Sequence, residues 1–139
     1  MSLEPEDLLS LAQRLNAQAR LLTRSTDAGL REATLRNAIS RAYYAVFWCG
    51  RRYFATAQPP QSIPRYSAHS ELQSLFDHYA GQSMKTIAVE LRWLRALRNR
   101  ADYDLIVPQL EDQVARALRL ANRLLGDIAS LPDDPTQAS

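Results

Sequence analysis

The sequence has few of the residues from which disulfides, metal sites and redox centres are built. Cys49 is the single cysteine, so the chain forms no internal disulfide and no cysteine-cluster metal site, as is common in a reducing compartment. Its two histidines, His69 and His78, belong to no spacing typical of metal ligands. We therefore expect a cytoplasmic location, no metal and no cofactor.

Glycine and long apolar runs are scarce as well. The four glycines form no phosphate-binding loop, and a hydrophobic content of 46% argues against a disordered chain. No apolar run is long enough to cross a membrane, and the acidic, polar start of the chain is unlike a signal peptide. The net charge of +2 is too small to indicate a nucleic-acid partner, which would require a local basic patch. We expect one domain and no membrane association.

Apolar residues recur at helical spacing along nearly the whole chain. The pattern predicts a first helix that begins near Pro5. A second, longer helix is predicted to follow a cap at residues 25–27 and to run to about Ala57. Residues 56–66 contain three prolines and are predicted to form a loop.

Three further helices are predicted after this loop. A short third helix begins at about Ser67 or Ser70, and Gly81 is a suitable residue to end it. Ser83 is a suitable N-cap for the fourth helix, and the fifth begins after the break at Pro108.

These elements together predict the fold class. We expect an all-α, antiparallel bundle of four main helices plus one short helix, formed by residues 1–131. Residues 132–139, with the sequence PDDPTQAS, are expected to form a flexible C-terminal tail.

The second predicted helix is apolar on more than one face. A helix that is hydrophobic around most of its circumference is buried around most of it. Either this helix lies at the centre of the bundle, or its second face meets another subunit, and we favour a homodimer. In the alternative, its tyrosines only flank the core, with their hydroxyls in water. The predicted dimer interface consists of Tyr43, Tyr44, Phe47 and Trp48.

Arg98 interrupts the apolar stripe of the fourth predicted helix. It falls near the middle of the apolar arc, where an unpaired guanidinium would cost several kcal/mol to bury. In one interpretation, Arg98 pairs with Asp102 one turn later and extends toward water. In the other, the stripe ends at a polar cleft where Arg98 meets an anion such as phosphate. The apolar residues of this stripe are Met84, Ile87, Leu91, Leu94, Ala101 and Leu105.

Three segments together resemble the HEPN superfamily, in particular its small stand-alone bacterial and archaeal members. They are RAYYAVFW (residues 41–48), SAHSEL (residues 67–72) and RNRADYD (residues 98–104). The resemblance implies a bundle of four main helices plus a short one, which dimerises so that the arginine motifs of two subunits share a cleft. It also implies one of two roles. Many members are metal-independent ribonucleases, and others are inactive partners of a small nucleotidyltransferase that serves as antitoxin.

The ribonuclease signature of that family is an arginine, usually followed by a polar residue, and a histidine a few residues further on. Arg98 and Asn99 match its beginning, but Tyr103 stands where the histidine is expected. Tyrosine has a pKa of about 10 and is a poor general base at neutral pH. His69, at the entrance of the third helix, is a candidate to replace the missing base. The candidate catalytic residues are therefore Arg98, Asn99, Tyr103 and His69, and those for nucleotide or RNA binding are Arg41, Arg95, Arg98 and Asp102.

Three functions are compatible with these residues. We favour a protein whose arginine-lined cleft binds RNA or a nucleotide, and which is the partner of a small nucleotidyltransferase in a toxin–antitoxin-like module. The alternative is an active, metal-independent ribonuclease that uses Arg98 with Tyr103 or His69. The third is a purely structural helical dimer.

Overall fold

The computed structural model describes residues 3–63 and 67–139. Within these ranges all regular structure is helical, and four long helices and one short helix pack together, so the predicted all-α class is confirmed. The start of the chain at residues 1–2 and the end of the predicted loop at residues 64–66 lie outside the described residues. The helices are α1 (Pro5–Leu21), α2 (Ala28–Thr56), α3 (Ala68–His78), α4 (Gln82–Tyr103) and α5 (Leu110–Ala129).

Long-range side-chain contacts define the helix directions. Arg31 near the start of α2 donates to the Ala19 carbonyl at the end of α1 (3.3 Å), and Arg52 near the end of α2 pairs with Glu4. These two helices are therefore antiparallel. Arg36, also near the start of α2, bonds the Ala101 carbonyl near the end of α4, so α2 and α4 run in opposite directions as well.

The central element of the bundle is α2, which packs against each of the other four α-helices. This position accounts for its apolar surface without a second subunit. Its buried residues lie on most sides of the helix rather than in one stripe. Among the described residues, no helix combines the length and hydropathy needed to span a membrane.

The short helix α3 lies parallel to α2, at close distance. Leu72 and Phe76 of α3 cover Gly50 so tightly that a Cβ at position 50 would lie 3.0 Å from a Leu72 methyl carbon. One turn further along, the rings of Phe54 and Phe76 pack edge to face with centroids 4.9 Å apart. A glycine at position 50 thus lets α3 approach α2, which brings the first residues of α3 against the middle of α2.

Two predicted boundaries between α3 and α4 are wrong. Gly81 is the N-cap of α4 rather than the end of α3, and α4 begins at Gln82, before the predicted cap Ser83. The reason is Tyr79, which ends α3 in an extended conformation with its side chain buried. Its hydroxyl accepts a hydrogen bond from Gln61, and this tertiary contact overrides the local glycine signal.

Residues 132–139, for which the sequence predicts a flexible tail, make several contacts with the bundle in this structure. The Pro132 carbonyl accepts from the Tyr53 hydroxyl (2.7 Å), and Pro135 is buried. The backbone N–H of Gln58 donates to the Asp133 carbonyl. The polar composition of the tail predicted mobility, but these backbone and tyrosine contacts are tertiary and cannot be read from composition.

Candidate functional site

Arg98 is buried in the chain, with only 6% of its surface exposed. The α4 stripe directs it toward α2, where its guanidinium carbon lies 4.9 Å from the Tyr43 ring centroid and 5.6 Å from that of Tyr44. Asp102 lies 3.6 Å from Arg98 Nη1, which is an ion pair beyond hydrogen-bonding distance. The predicted pair with Asp102 thus forms, but Arg98 remains covered by aromatic rings rather than extending toward water.

Three arginines around this point have donors without acceptors. The Nε atoms of Arg41, Arg95 and Arg98 are buried, and no described residue accepts a hydrogen bond from them. Arg41 lies over the Tyr44 ring, with its guanidinium carbon 5.4 Å from the centroid. Buried N–H groups are normally paired, so unpaired ones at a single place indicate that something else supplies the acceptors. We call the following residues the arginine–aromatic cluster: Arg41, Tyr43, Tyr44, Phe47, His69, Arg95 and Arg98.

His69 joins the cluster from the first turn of α3. Its Nδ1 atom lies 2.6 Å from the Tyr43 hydroxyl oxygen, and its ring stacks on Phe47 with centroids 4.4 Å apart. Arg98 lies over the Tyr43 ring, so Tyr43 contacts both His69 and Arg98. The fold therefore brings these two predicted residues into one site, through a tyrosine that was predicted only as part of a dimer interface.

Burial and positive charge determine the protonation of this pair. Burial raises the pKa of Tyr43 to about 12, although the positive charges of Arg98 and Arg95 oppose this rise. Burial also lowers the pKa of His69, and the charges of Arg98, Arg95 and Arg51 lower it further. Near neutral pH, Tyr43 is therefore a phenol and His69 a neutral imidazole.

The residues predicted from the ribonuclease signature do not assemble around Arg98 within one chain. Tyr103 is the last residue of α4 and is 75% exposed, and Asn99 is exposed as well. Because α4 remains helical up to Tyr103, residues 98 and 103 point roughly 140° apart. Leu105, predicted as part of the apolar stripe, is also exposed, since the helix has already ended.

Arg36 determines where α4 ends. Its guanidinium donates to the carbonyl groups of Ala101 (3.0 Å), Asp104 (2.6 Å) and Leu105 (3.0 Å). These bonds satisfy carbonyl groups that a helix leaves unpaired at its C-terminus. Arg36 thereby keeps Tyr103 on the helix and away from Arg98.

Only part of the predicted dimer interface lies at the surface of the single chain. Within the single chain, Tyr43 is 1% and Phe47 is 4% exposed, so their side chains are covered without a second subunit. Their surroundings come from α3 and α4, whose packing the pattern of α2 alone cannot reveal. Tyr44 is partly exposed and Trp48 is 45% exposed, and these two remain accessible to a partner.

Two residues near the cluster were missed from the sequence. Arg51 lies over the Phe47 ring, with its guanidinium carbon 5.6 Å from the centroid, and their spacing of four residues on α2 could have indicated this contact. Gln73 accepts a hydrogen bond from Arg95 Nη1 (2.8 Å), and it follows His69 by four residues on α3. The sequence signal for both residues was their spacing of four, Arg51 from Phe47 and Gln73 from His69, which places each pair on the same side of a helix.

A larger cavity elsewhere has a different character. It measures about 800 Å³ and lies between the end of α1 and the starts of α2 and α5. Its arginines already have acidic partners, Arg31 with Glu111 and Arg24 with Asp27. Over residues 3–63 and 67–139, no group of three or more His, Cys, Asp and Glu side chains could hold a metal ion.

The chemistry of the arginine–aromatic cluster suits an anion. It combines three cationic side chains with a neutral imidazole, and Asp102 is the one carboxylate in the described chain within ion-pair distance of any of them. Arg41 and Arg98 lie over aromatic rings, and their Nε donors have no acceptor among the described residues. In comparisons with known proteins, no family model matches the chain, and no curated protein or solved structure matches it significantly.

Proposed function

We propose that this chain binds the phosphate groups of RNA or of a nucleotide at the arginine–aromatic cluster, without cleaving them. The supporting observation is the set of buried and unpaired Nε atoms of Arg41, Arg95 and Arg98. The proposal includes the role that the HEPN resemblance implies, namely the partner of a small nucleotidyltransferase in a toxin–antitoxin-like module.

The cluster has unmet hydrogen-bonding capacity, because the Nε atoms of its three arginines have no acceptor among the described residues. A phosphate group carries several acceptor oxygens and a negative charge, which matches converging guanidinium donors. Asp102 lies too far from Arg98 to satisfy it with a hydrogen bond. Trp48 and Tyr44 follow the same side of α2 as Arg41 and are accessible, so bases adjoining the phosphate have aromatic faces on which to stack.

Binding of a fluorescently labelled single-stranded RNA, followed by anisotropy, tests the proposal. Since charge-assisted hydrogen bonds contribute about 1.5–3 kcal/mol, Arg98→Ala should weaken binding roughly 10- to 150-fold. Arg119→Ala is the matched control, because Arg119 is an exposed arginine of α5 outside the cluster. Undetectable binding by the wild type, or an equal loss in both variants, would refute a phosphate site at the cluster.

One observation favours a second candidate, a metal-independent ribonuclease. His69, rather than Tyr103, contacts the aromatic group that covers Arg98. In such an enzyme the 2′-hydroxyl of RNA attacks the adjacent phosphate, a base removes its proton, and the products are a cyclic phosphate and a 5′-hydroxyl. RNA incubated with the wild type and EDTA separates the two functions. Cleavage that disappears in His69→Ala would establish the ribonuclease, whereas binding without cleavage supports our proposal.

A further inference from the structure

We infer that Tyr43 is a positioning residue, which fixes His69 as an Nε2–H donor for a phosphate oxygen and prevents it from acting as a general base. This inference deepens the proposed function, and its ligand-binding part rests on that function. The state of His69 in the free protein can be tested separately.

The 2.6 Å contact between the Tyr43 hydroxyl and His69 Nδ1 contains a single hydrogen, which belongs to one of the two groups. A neutral imidazole has one protonated nitrogen and one nitrogen that accepts. The accepting nitrogen of imidazole is far more basic than a phenol oxygen, and a phenol is the more acidic donor. The stronger arrangement therefore has Tyr43 donating to Nδ1, which leaves the hydrogen of the neutral ring on Nε2.

The groups that face His69 oppose its protonation. Tyr43, Tyr44 and Arg51 face it from α2, and Arg95 and Arg98 act on it from α4. None of these groups is a carboxylate. An imidazolium would add a further positive charge beside three arginines, so the neutral ring is favoured near neutral pH.

The orientation of the ring is also fixed. His69 stacks on Phe47 and meets the Tyr44 ring edge to face, with centroids 6.0 Å apart. Since the two nitrogens lie on different edges of the imidazole, Nδ1 directed at Tyr43 leaves Nε2 directed away from it. Among the described residues no acceptor bonds Nε2, which is not among the fully buried unpaired atoms. Its hydrogen is therefore available to the same anion that the arginines bind.

A general base needs a free lone pair, and in this arrangement Nε2 has none. Two substitutions at position 69 therefore separate a hydrogen-bond donor from a general base. His69→Gln places an amide near the position of Nε2 and retains a donor there, although it can never serve as a base. His69→Leu fills similar space without a donor.

Nitrogen-15 NMR of the histidine rings in the ligand-free protein at pH 7 tests the first part of the inference, in which Tyr43 fixes the tautomer of His69. We expect His69 as the Nε2–H tautomer, with exposed His78 as the internal reference for an unconstrained ring. Tyr43→Phe should yield a mixture of tautomers and raise the pKa of His69, because the neutral form loses its hydrogen-bond donor. Tyr44→Phe, the matched control, should change neither. An Nδ1–H tautomer or an imidazolium in the wild type would overturn the inference, even if the Tyr43 variant failed to fold.

RNA binding tests the second part of the inference, in which Nε2–H of His69 donates to a phosphate oxygen. His69→Gln should bind within about threefold of the wild type, whereas His69→Leu should lose roughly tenfold, as expected for one hydrogen bond to a charged group. Equal losses in both variants would refute the donor role while leaving the arginine site in place. If the wild type binds no RNA at all, the proposed function fails with the ligand half of this inference, and the NMR result alone decides the tautomer.

Discussion

The positive charge of Arg98 is stabilised mainly by aromatic rings and only weakly by a carboxylate. Its guanidinium carbon lies within 6 Å of two ring centroids, while Asp102 remains 3.6 Å from Nη1. A cation over an aromatic face gains about 0.5–2 kcal/mol, which is less than the cost of removing the charge from water. The site therefore retains a cation that a ligand can neutralise.

Replacing Arg98 by a neutral side chain of similar length should separate stability from binding. Exchange of a whole buried ion pair for packed apolar groups is often neutral, or stabilising by about 1–4 kcal/mol, because no buried charge is left behind. In Arg98→Met the charge left behind is that of Asp102, whose side chain is 28% exposed and can be solvated. We expect Arg98→Met to keep or raise the free energy of unfolding in urea and to weaken RNA binding at least tenfold. A loss of stability comparable to that of a core truncation would instead identify Arg98 as a structural ion-pair residue.

The lowered pKa of His69 predicts a loss of stability in mild acid. The unfolded chain takes up a proton near pH 6.5, the ordinary pKa of histidine, before the folded chain does. The contribution of His69 is therefore complete above about pH 6.5, declines as the pH falls toward the folded pKa, and is lost below it.

Urea unfolding curves of wild type and His69→Gln between pH 5 and pH 7.5 measure this contribution. The free energy of unfolding of the wild type should fall more steeply with acid than that of the variant. Parallel curves would mean that His69 has the same pKa in the folded and unfolded chains.

At the scale of helices, the sequence predicted which elements form and which face of α4 is apolar. The spacing of Leu91, Leu94 and Arg98 was sufficient to predict that Arg98 lies on the buried face. The sequence could not show that His69 lies beside Tyr43, because that contact depends on how closely α3 approaches α2. It also could not show that Tyr43 and Phe47 are covered, since the covering residues come from other helices.

Gly50 permits α3 to approach α2 closely, and a larger residue at position 50 should separate these two helices. A Cβ at position 50 would lie 3.0 Å from Leu72 and 3.2 Å from Phe76, so a valine there should force α3 outward. Overpacking of this kind costs about 1–3 kcal/mol, and we expect Gly50→Val to lose that much stability, together with RNA affinity. Gly126→Val is the control, because a Cβ at position 126 meets nothing within 4 Å. Equal unfolding free energies for the two variants would contradict a packing role for Gly50.

At the scale of the whole molecule, the modest net charge conceals an uneven distribution of arginine side chains and their carboxylate partners. Some arginines outside the cluster have carboxylate partners, as Arg52 has Glu4 and Arg123 has Glu90. Inside the cluster, Arg41 and Arg98 lie over aromatic rings, and only Arg98 has a carboxylate, Asp102, within ion-pair distance in the described chain. A chain with a formal charge of +2 thus concentrates three arginines at one place, which its composition alone did not reveal.

Homodimerisation remains a prediction, and the fold reduces its interface to Tyr44 and Trp48. If these side chains meet a second copy, Trp48→Ala should convert a micromolar dimer into a monomer in sedimentation velocity experiments. Trp93→Ala is the matched control, because Trp93 is a tryptophan of α4 with similar exposure, 48% against 45%. A monomeric wild type would refute the predicted homodimer, and a dimer that neither substitution affects would place its interface elsewhere.

The position of the two tryptophans at the surface also determines what fluorescence can report. Trp48 and Trp93 are both about half exposed, whereas the core contains tyrosine and phenylalanine rings such as Tyr43, Phe54 and Phe76. Because both indoles already contact solvent, their emission should shift little when the core opens. Trp48, next to Arg51 and the arginine–aromatic cluster, is instead placed to be quenched by a bound nucleobase. In a Trp93→Phe background, its emission would give a label-free titration of the site in the intact protein.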